Sequence, residues 1–283
     1  MYTAFYQLNE RPFELTPDLR FLYLSPKHRE ALAHLSYGVA ERKVFVQLTG
    51  EVGTGKTLML DALVHGLDAT TRVARITNTT ISKMDLLRAL AWELGLSGDA
   101  RTKMEMLREI SECLARWSAD GRNAVFVIDE AQNLEPPVLE EIRLLSNLRS
   151  LDRSTLQIVL AGQPELRAKL EDPELRQLRQ RIGIRYHLEP LSQDETGEYI
   201  RHRLGVAGAK DDRIFDASAI EAVYEFSQGI PRMINIICDN SLLAGYADGK
   251  RWIGRRTVRE TVEALETREP ARTSGGDPDA ART

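Results

Sequence analysis

The chain has 283 residues, with 38 Lys and Arg against 42 Asp and Glu, and a formal net charge of −4 at pH 7. Hydrophobic residues make up 42% and charged residues 28%, which excludes a disordered or fibrous chain, and the acidic balance excludes nucleic-acid binding by bulk charge. At roughly 150 residues per domain, the length suggests about two units.

The opening "MYTAFYQLNERPFEL" lacks a basic start followed by an apolar core, and no stretch approaches the roughly 20 apolar residues of a membrane span. A cytoplasmic location is therefore expected. Residues 1–24, rich in aromatics and proline, are set apart as an N-terminal segment. "SPKHREALAHLSYGVAE" then reads as a helix capped by Ser25 with Pro26 at its first position. Leu32, Leu35 and Val39 share its apolar face, and His28 is read as a surface residue. "KVFVQLTG" is a short buried strand, "KTLMLDALVHGL" a helix and "RVARIT" a second strand. Two helical runs follow, "ISKMDLLRALAWELG" and "RTKMEMLREISECLARWSA". "NAVFVIDE", "LQIVLAG" and "IGIRYHL" are further strands, with the helix "PPVLEEIRLLSNLRS" between the first two. Strands that alternate with helices and are apolar throughout indicate a parallel sheet covered on both faces.

From about residue 192 the strand signal stops and four helical runs follow. The organisation expected is an α/β domain over 25–190, a small all-helical domain over 191–266 and a disordered tail over 267–283. Cys113 and Cys238 lie in apolar helical patterns without metal-type spacing, and read as buried free thiols.

"GEVGTGKT", Gly50 to Thr57, matches G-x-x-x-x-G-K-[ST] after a strand and before a helix. Gly50, Glu51, Val52, Gly53, Thr54 and Gly55 would bring backbone amides around phosphate oxygens. Lys56 would reach the outer phosphates, Thr57 would ligate magnesium and Leu58 would continue the helix whose N-terminus faces the anion. The ligands implied are ATP and Mg2+. About 70 residues on, "VFVIDEAQ" ends a strand in Asp129 and Glu130, at the edge of a parallel sheet that also carries the phosphate loop. Asp129 would hold the metal, and Glu130 would orient and deprotonate the attacking water.

The order of these pieces, ending in "GIPRMIN", resembles the AAA+ ATPases: a P-loop parallel-sheet sandwich followed by a small all-helical lid domain. With "FYQLNERPFELTPDLRFLYLSPKHREALAHLSYGV", "LTGEVGTGKT", "DEAQNL", "GQPEL", "LRQRIGIRYHLEPLSQDET" and "GIPRMIN", roughly residues 2 to 265 are similar to the ExeA-type ATPases of the general secretion pathway and of exosortase and pilus loci. The resemblance implies that Gln163 senses the γ-phosphate or the attacking water, that Arg232 touches the nucleotide from the lid, and that the segment 22–32, with Leu24 and His28, packs beside adenine. It also offers Asn78 as a polar partner of Glu130, although a turn asparagine explains that residue as well. Longer family members continue into a membrane span and a peptidoglycan-binding domain, for which the tail 267–283 has no room. The expectation is a cytoplasmic homo-oligomer with nucleotide between subunits, peripheral to the inner membrane only through an envelope secretion or export partner. A DNA-associated regulator of transposition type is the alternative, with Lys250, Arg251, Arg255, Arg256 and Arg259 as its basic cluster.

"PELRQLRQRIGIRYHL" gathers Arg176, Arg179, Arg181 and Arg185. On a helix, Arg176 and Arg179 share a face, whereas Arg181 lies about 140° from Arg176. At the helix end Arg181 is expected to project outward and act in trans on a neighbouring subunit's phosphates, with Arg179 as the second candidate. Arg185, inside the strand, is read as structural.

Overall fold

The computed structural model describes residues 1–77, 79–150, 153–154, 156–211 and 213–268. The chain divides into two units, a larger one of Thr16–Leu191 with Ile230–Arg232, and a smaller one of Met1–Leu15, Ser192–Gly229 and the chain from Met233 on.

The larger unit alternates strands and helices as the sequence predicts. It runs through α2 (Pro26–Ala40), β1 (Phe45–Gly50), α3 (Lys56–Gly66), β2 (Thr71–Ile76), α4 (Lys83–Glu93), α5 (Lys103–Ala119), β3 (Asn123–Ile128) and α6 (Pro136–Leu145). After a two-residue ladder, β4 (Arg149–Ser150) with β5 (Arg153–Ser154), come β6 (Gln157–Gly162), α7 (Pro164–Leu170), α8 (Arg176–Arg181) and β7 (Ile182–Leu188). The strand order is β2-β3-β6-β1-β7, and every pairing in this five-stranded sheet is parallel. Alternate residues of each central strand feed two cores. Phe45, Phe126, Ile128, Ile158 and Leu160 pack with the layer of α4 to α8, while Val46, Leu48, Val125, Val127 and Val159 pack with α2 and α3. This two-sided burial is why β1, β3 and β6 are buried throughout and mostly apolar, whereas the edge strand β7 alternates buried and exposed residues.

Local signals fix the helix starts. Ser25 caps α2 ahead of Pro26, and Thr102 with Glu105 forms a capping box at α5. The helix α7 has no counterpart in the sequence reading; at seven residues it is too short for apolar periodicity to show, although Pro164 marks its first turn.

The smaller unit is helical: α1 (Tyr2–Phe5), α9 (Gln193–Val206), α10 (Ala217–Ser227), α11 (Pro231–Ala247) and α12 (Arg255–Arg268). The aromatic opening of the chain packs into this unit. The Tyr2 hydroxyl bonds the Asp239 carboxylate, Tyr6 donates to the Lys250 carbonyl at 2.9 Å, and Phe13 meets Phe215 edge to face. Arg203, buried, donates to the Pro12 carbonyl and to the Tyr199 hydroxyl. Both cysteines are buried and free, as read from the sequence. No helix among the described residues is long and apolar enough to cross a membrane. Residues 269–283, which include most of the predicted tail, lie outside the described residues, as does Asn78.

Candidate active site

The loop after β1 bends through two left-handed glycines, Gly53 (φ 83°) and Gly55 (φ 101°), before α3 begins at Lys56. A side chain at either position would be strained. At Gly53 it would also collide: a Cβ there would lie 2.7 Å from Arg232 Cβ and 3.1 Å from Ile230 Cγ2. The Arg232 backbone N–H donates to the Gly53 carbonyl at 3.2 Å. The "GIPR" segment thus rests on the phosphate loop, with the Arg232 side chain exposed beside it.

Lys56 is 5% exposed, and its ammonium donates to the carbonyls of Gly50 at 2.9 Å and Glu51 at 3.0 Å. Burial pulls its pKa below the usual lysine value, opposed by the charges of Glu130, Asp129, Glu51 and Glu165. The loop's own carbonyls therefore occupy the cation that phosphate would take.

Thr57 and Asp129, predicted as metal ligands from positions 72 apart, meet directly: the hydroxyl donates to the carboxylate at 2.8 Å. Asp129 is 4% exposed, accepts the Glu130 N–H at 3.0 Å and lies 3.7 Å from the Arg75 guanidinium, which also pairs with Asp61. Among the described residues no group of three or more His, Cys, Asp or Glu could hold a metal. One hydroxyl and one carboxylate fit magnesium, which completes its shell with waters and substrate phosphates.

Glu130 has φ 51° and ψ 37°, a left-handed backbone rare for a residue with a side chain. Two amides secure its carboxylate: Gln132 Nε2 and, at 3.1 Å, Gln163 Nε2. Gln132 Oε1 in turn accepts the Gln163 N–H at 3.1 Å, in space left by Gly162, where a Cβ would lie 2.7 Å from that oxygen. The Thr79 hydroxyl donates to the Glu130 carbonyl at 3.0 Å. The adjacency of β3 and β6 brings these groups together.

Gln132, Thr79 and Arg75 escaped the sequence reading, because their roles depend on strand order. His28 needs correction. It is 5% exposed, not a surface residue; Nδ1 meets the Ser25 hydroxyl at 2.9 Å and Nε2 the Thr54 carbonyl at 3.3 Å. The signal was present, since 28, 32, 35 and 39 form one helical stripe. Arg181 is exposed at the end of α8. Its guanidinium donates to the Ser146 hydroxyl at 2.6 Å and the Asn147 carboxamide at 2.7 Å, because α8 ends beside the C-terminus of α6. Arg179 makes no such side-chain bond among the described residues, and its carbonyl accepts from Arg185.

Comparison with known proteins places this geometry. Residues 40–170 match the model described as an AAA domain. The chain is 46% identical over 254 residues to the general secretion pathway protein A of Aeromonas hydrophila, covering 89% of this chain and 46% of that protein. It therefore spans less than half the length of that relative. The fold is shared with Cdc6p of Pyrobaculum aerophilum at TM-score 0.69 and 19% identity, over 88% of this chain and 71% of that one. It is also shared with the Thermotoga maritima RuvB Holliday junction branch migration motor at TM-score 0.58 and 19% identity, over 87% of this chain and 73% of that one.

Proposed function

We propose, for a chain that carries an AAA ATPase domain and is related to general secretion pathway protein A, that it hydrolyses ATP between subunits of a homo-oligomer and powers or gates assembly of an envelope secretion, export or surface-structure system. The observation that carries the chemistry is the Glu130 carboxylate, held by Gln132 and Gln163 at the strand edge that also presents Lys56, Thr57 and Asp129.

ATP phosphates fit the amides of Gly53 to Thr57, and Lys56 turns from its loop carbonyls to the outer phosphates. Thr57 and Asp129 would hold magnesium, which would supply charge neutralisation at the phosphates. Glu130 accepts the proton of the attacking water, Gln163 orients that water, and Arg232 contacts the nucleotide from the segment that rests on Gly53. Charge that develops on the transferred phosphoryl group is met by Lys56 and by Arg181 or Arg179 of a neighbouring subunit. The neutral acceptors around Arg181 fix its direction without cancelling its charge.

Kinship to general secretion pathway protein A supports the envelope process. The basic cluster invoked for DNA is largely paired within its own unit. Lys250 bonds Asp248 at 2.6 Å, Arg255 bonds Glu221 at 2.8 Å and also Glu225, and Arg256 bonds Glu260 at 2.7 Å. Arg251 donates to the Phe5 carbonyl at 3.2 Å. Salt-dependent binding of the ATP form to duplex DNA would reinstate the transposition-type alternative.

Glu130→Gln tests the central assignment. It should keep ATP affinity and lower turnover by about 100-fold or more, and in the native host it should fail to restore envelope export to a deletion strain that the parent rescues. Unchanged turnover in the variant would exclude Glu130 as the base, and normal export in the deletion strain would exclude the envelope role.

A further inference from the structure

On the face of the sheet that carries α4 to α8, where β1 and the edge strand β7 emerge from under α7 and α8, lies a cleft of about 430 Å³. Its lining holds three guanidinium groups, Arg167 from α7, Arg179 from α8 and Arg185 from β7, with His187 of β7 beside them and a single acid, Glu171. None of the three guanidinium groups pairs with a carboxylate among the described residues. The floor is Gln47 and Thr49 of β1, each 4% exposed. The Thr49 hydroxyl is 3.1 Å from His187 Nδ1, whereas the Gln47 carboxamide has no hydrogen-bond partner among the described residues.

This convergence is built into the sheet. The register of β1 with β7 shifts between Phe45 and Val46, which pair with Ile182 and Ile184 and leave Gly183 as the extra residue. The shift sets Arg185 beside Gln47 and His187 beside Thr49, on one face. Without it, Arg185 and His187 would sit out of phase with the polar floor. On α7, Arg167 sits four positions before Glu171 and three before Leu170, so all three face the same cleft.

Three guanidinium groups without carboxylate partners converge over a polar floor, an arrangement complementary to a ligand that supplies both acceptors and negative charge. We propose that this cleft binds a small phosphate-bearing anion, separate from the nucleotide held by the phosphate loop. Guanidinium forks bind phosphate oxygens in bidentate fashion, and the Gln47 amide donates from below. The cleft is of mononucleotide size, within the roughly 300–1,000 Å³ range of ligand sites. Because Arg179 lines it, an occupied cleft would engage that arginine within its own subunit.

The test uses the full chain, saturated with ADP in magnesium-free buffer so that the phosphate loop is filled, and titrated with inorganic pyrophosphate. The readout is the side-chain amide resonance of Gln47. A saturable shift is expected, with affinity weakened at least about tenfold in Arg167→Ala/Arg185→Ala, whose positions are exposed and outside the hydrolytic machinery. Gln47→Leu should weaken binding measured by calorimetry while ADP affinity is retained. An equal response to citrate would overturn the phosphate assignment. Absence of a saturable shift, or one that the double variant leaves unchanged, would overturn the site.

Discussion

Glu130 occupies a left-handed conformation that costs a residue with a side chain about 1–2 kcal/mol, and its neighbours pin it there through the Thr79 hydroxyl and the amides of Gln132 and Gln163. Gln132 is the hinge of this arrangement, since it touches both Glu130 and the Gln163 backbone. Replacing it with Ala should leave ATP affinity unaltered and lower turnover by about 10- to 100-fold through misplacement of the carboxylate. Single-turnover kinetics alongside an ATP titration would check this, and a loss confined to affinity would contradict the positioning role. The residues legible in the sequence were those whose chemistry lies in contiguous motifs: Lys56 and Thr57 in the loop, Asp129 and Glu130 at a strand end. Gln132 stood in plain view in "DEAQ", but its partner Gln163 lies 31 positions away and meets it only because β3 and β6 are neighbours. His28 was misread because helix periodicity identifies a stripe without saying that the phosphate loop covers its first member.

The elements themselves followed from local chemistry where burial imposed a strong pattern. β1, β3 and β6 are mostly apolar and wholly buried because helices cover both faces, and β7 alternates because it is an edge. α7 was illegible because seven residues do not establish a period, whereas α8 ends at Arg181 as its sequence suggests, and the acceptors of that arginine, Ser146 and Asn147, follow α6 and could not be read from the α8 segment. The phosphate loop was recognisable by its glycines, yet the contact that makes Gly53 indispensable comes from residues 230–232. Gly53→Ala therefore adds a clash to a left-handed strain, whereas Gly121→Ala, at φ 75° with no atom within 4 Å of the new Cβ, adds strain alone. The expected outcome is at least a tenfold loss of ATP affinity, about 1.4 kcal/mol, for Gly53→Ala, with affinity retained in Gly121→Ala and a melting temperature lowered in both. Equal ATP affinity in the two variants would show that the seat of "GIPR" on the loop does not matter for nucleotide.

At the scale of the whole molecule, alternation of strands and helices followed by helices alone was enough to foresee a parallel sheet and a helical unit. The sequence did not reveal that the aromatic opening would be buried in the helical unit, because its partners, Asp239, Lys250 and Phe215, are more than 200 positions away. Assembly lies further still from a single chain's pattern, and the proposed arginine in trans turns it into a measurement. A Lys56→Ala subunit lacks a competent phosphate loop but retains Arg179 and Arg181, and an Arg181→Ala subunit has the opposite deficiency. In a head-to-tail oligomer each subunit lends its arginine to one neighbour, so an equimolar random mixture rebuilds a complete site wherever an Arg181→Ala loop faces a Lys56→Ala neighbour. Half of the loops are intact and half of those have a suitable neighbour, so turnover should recover to about a quarter of the parent value, although each variant alone is reduced by about a thousandfold. The same mixture made with Arg179→Ala identifies which arginine acts. Full activity of both arginine variants alone, or no recovery in either mixture, would show that each subunit completes its own site.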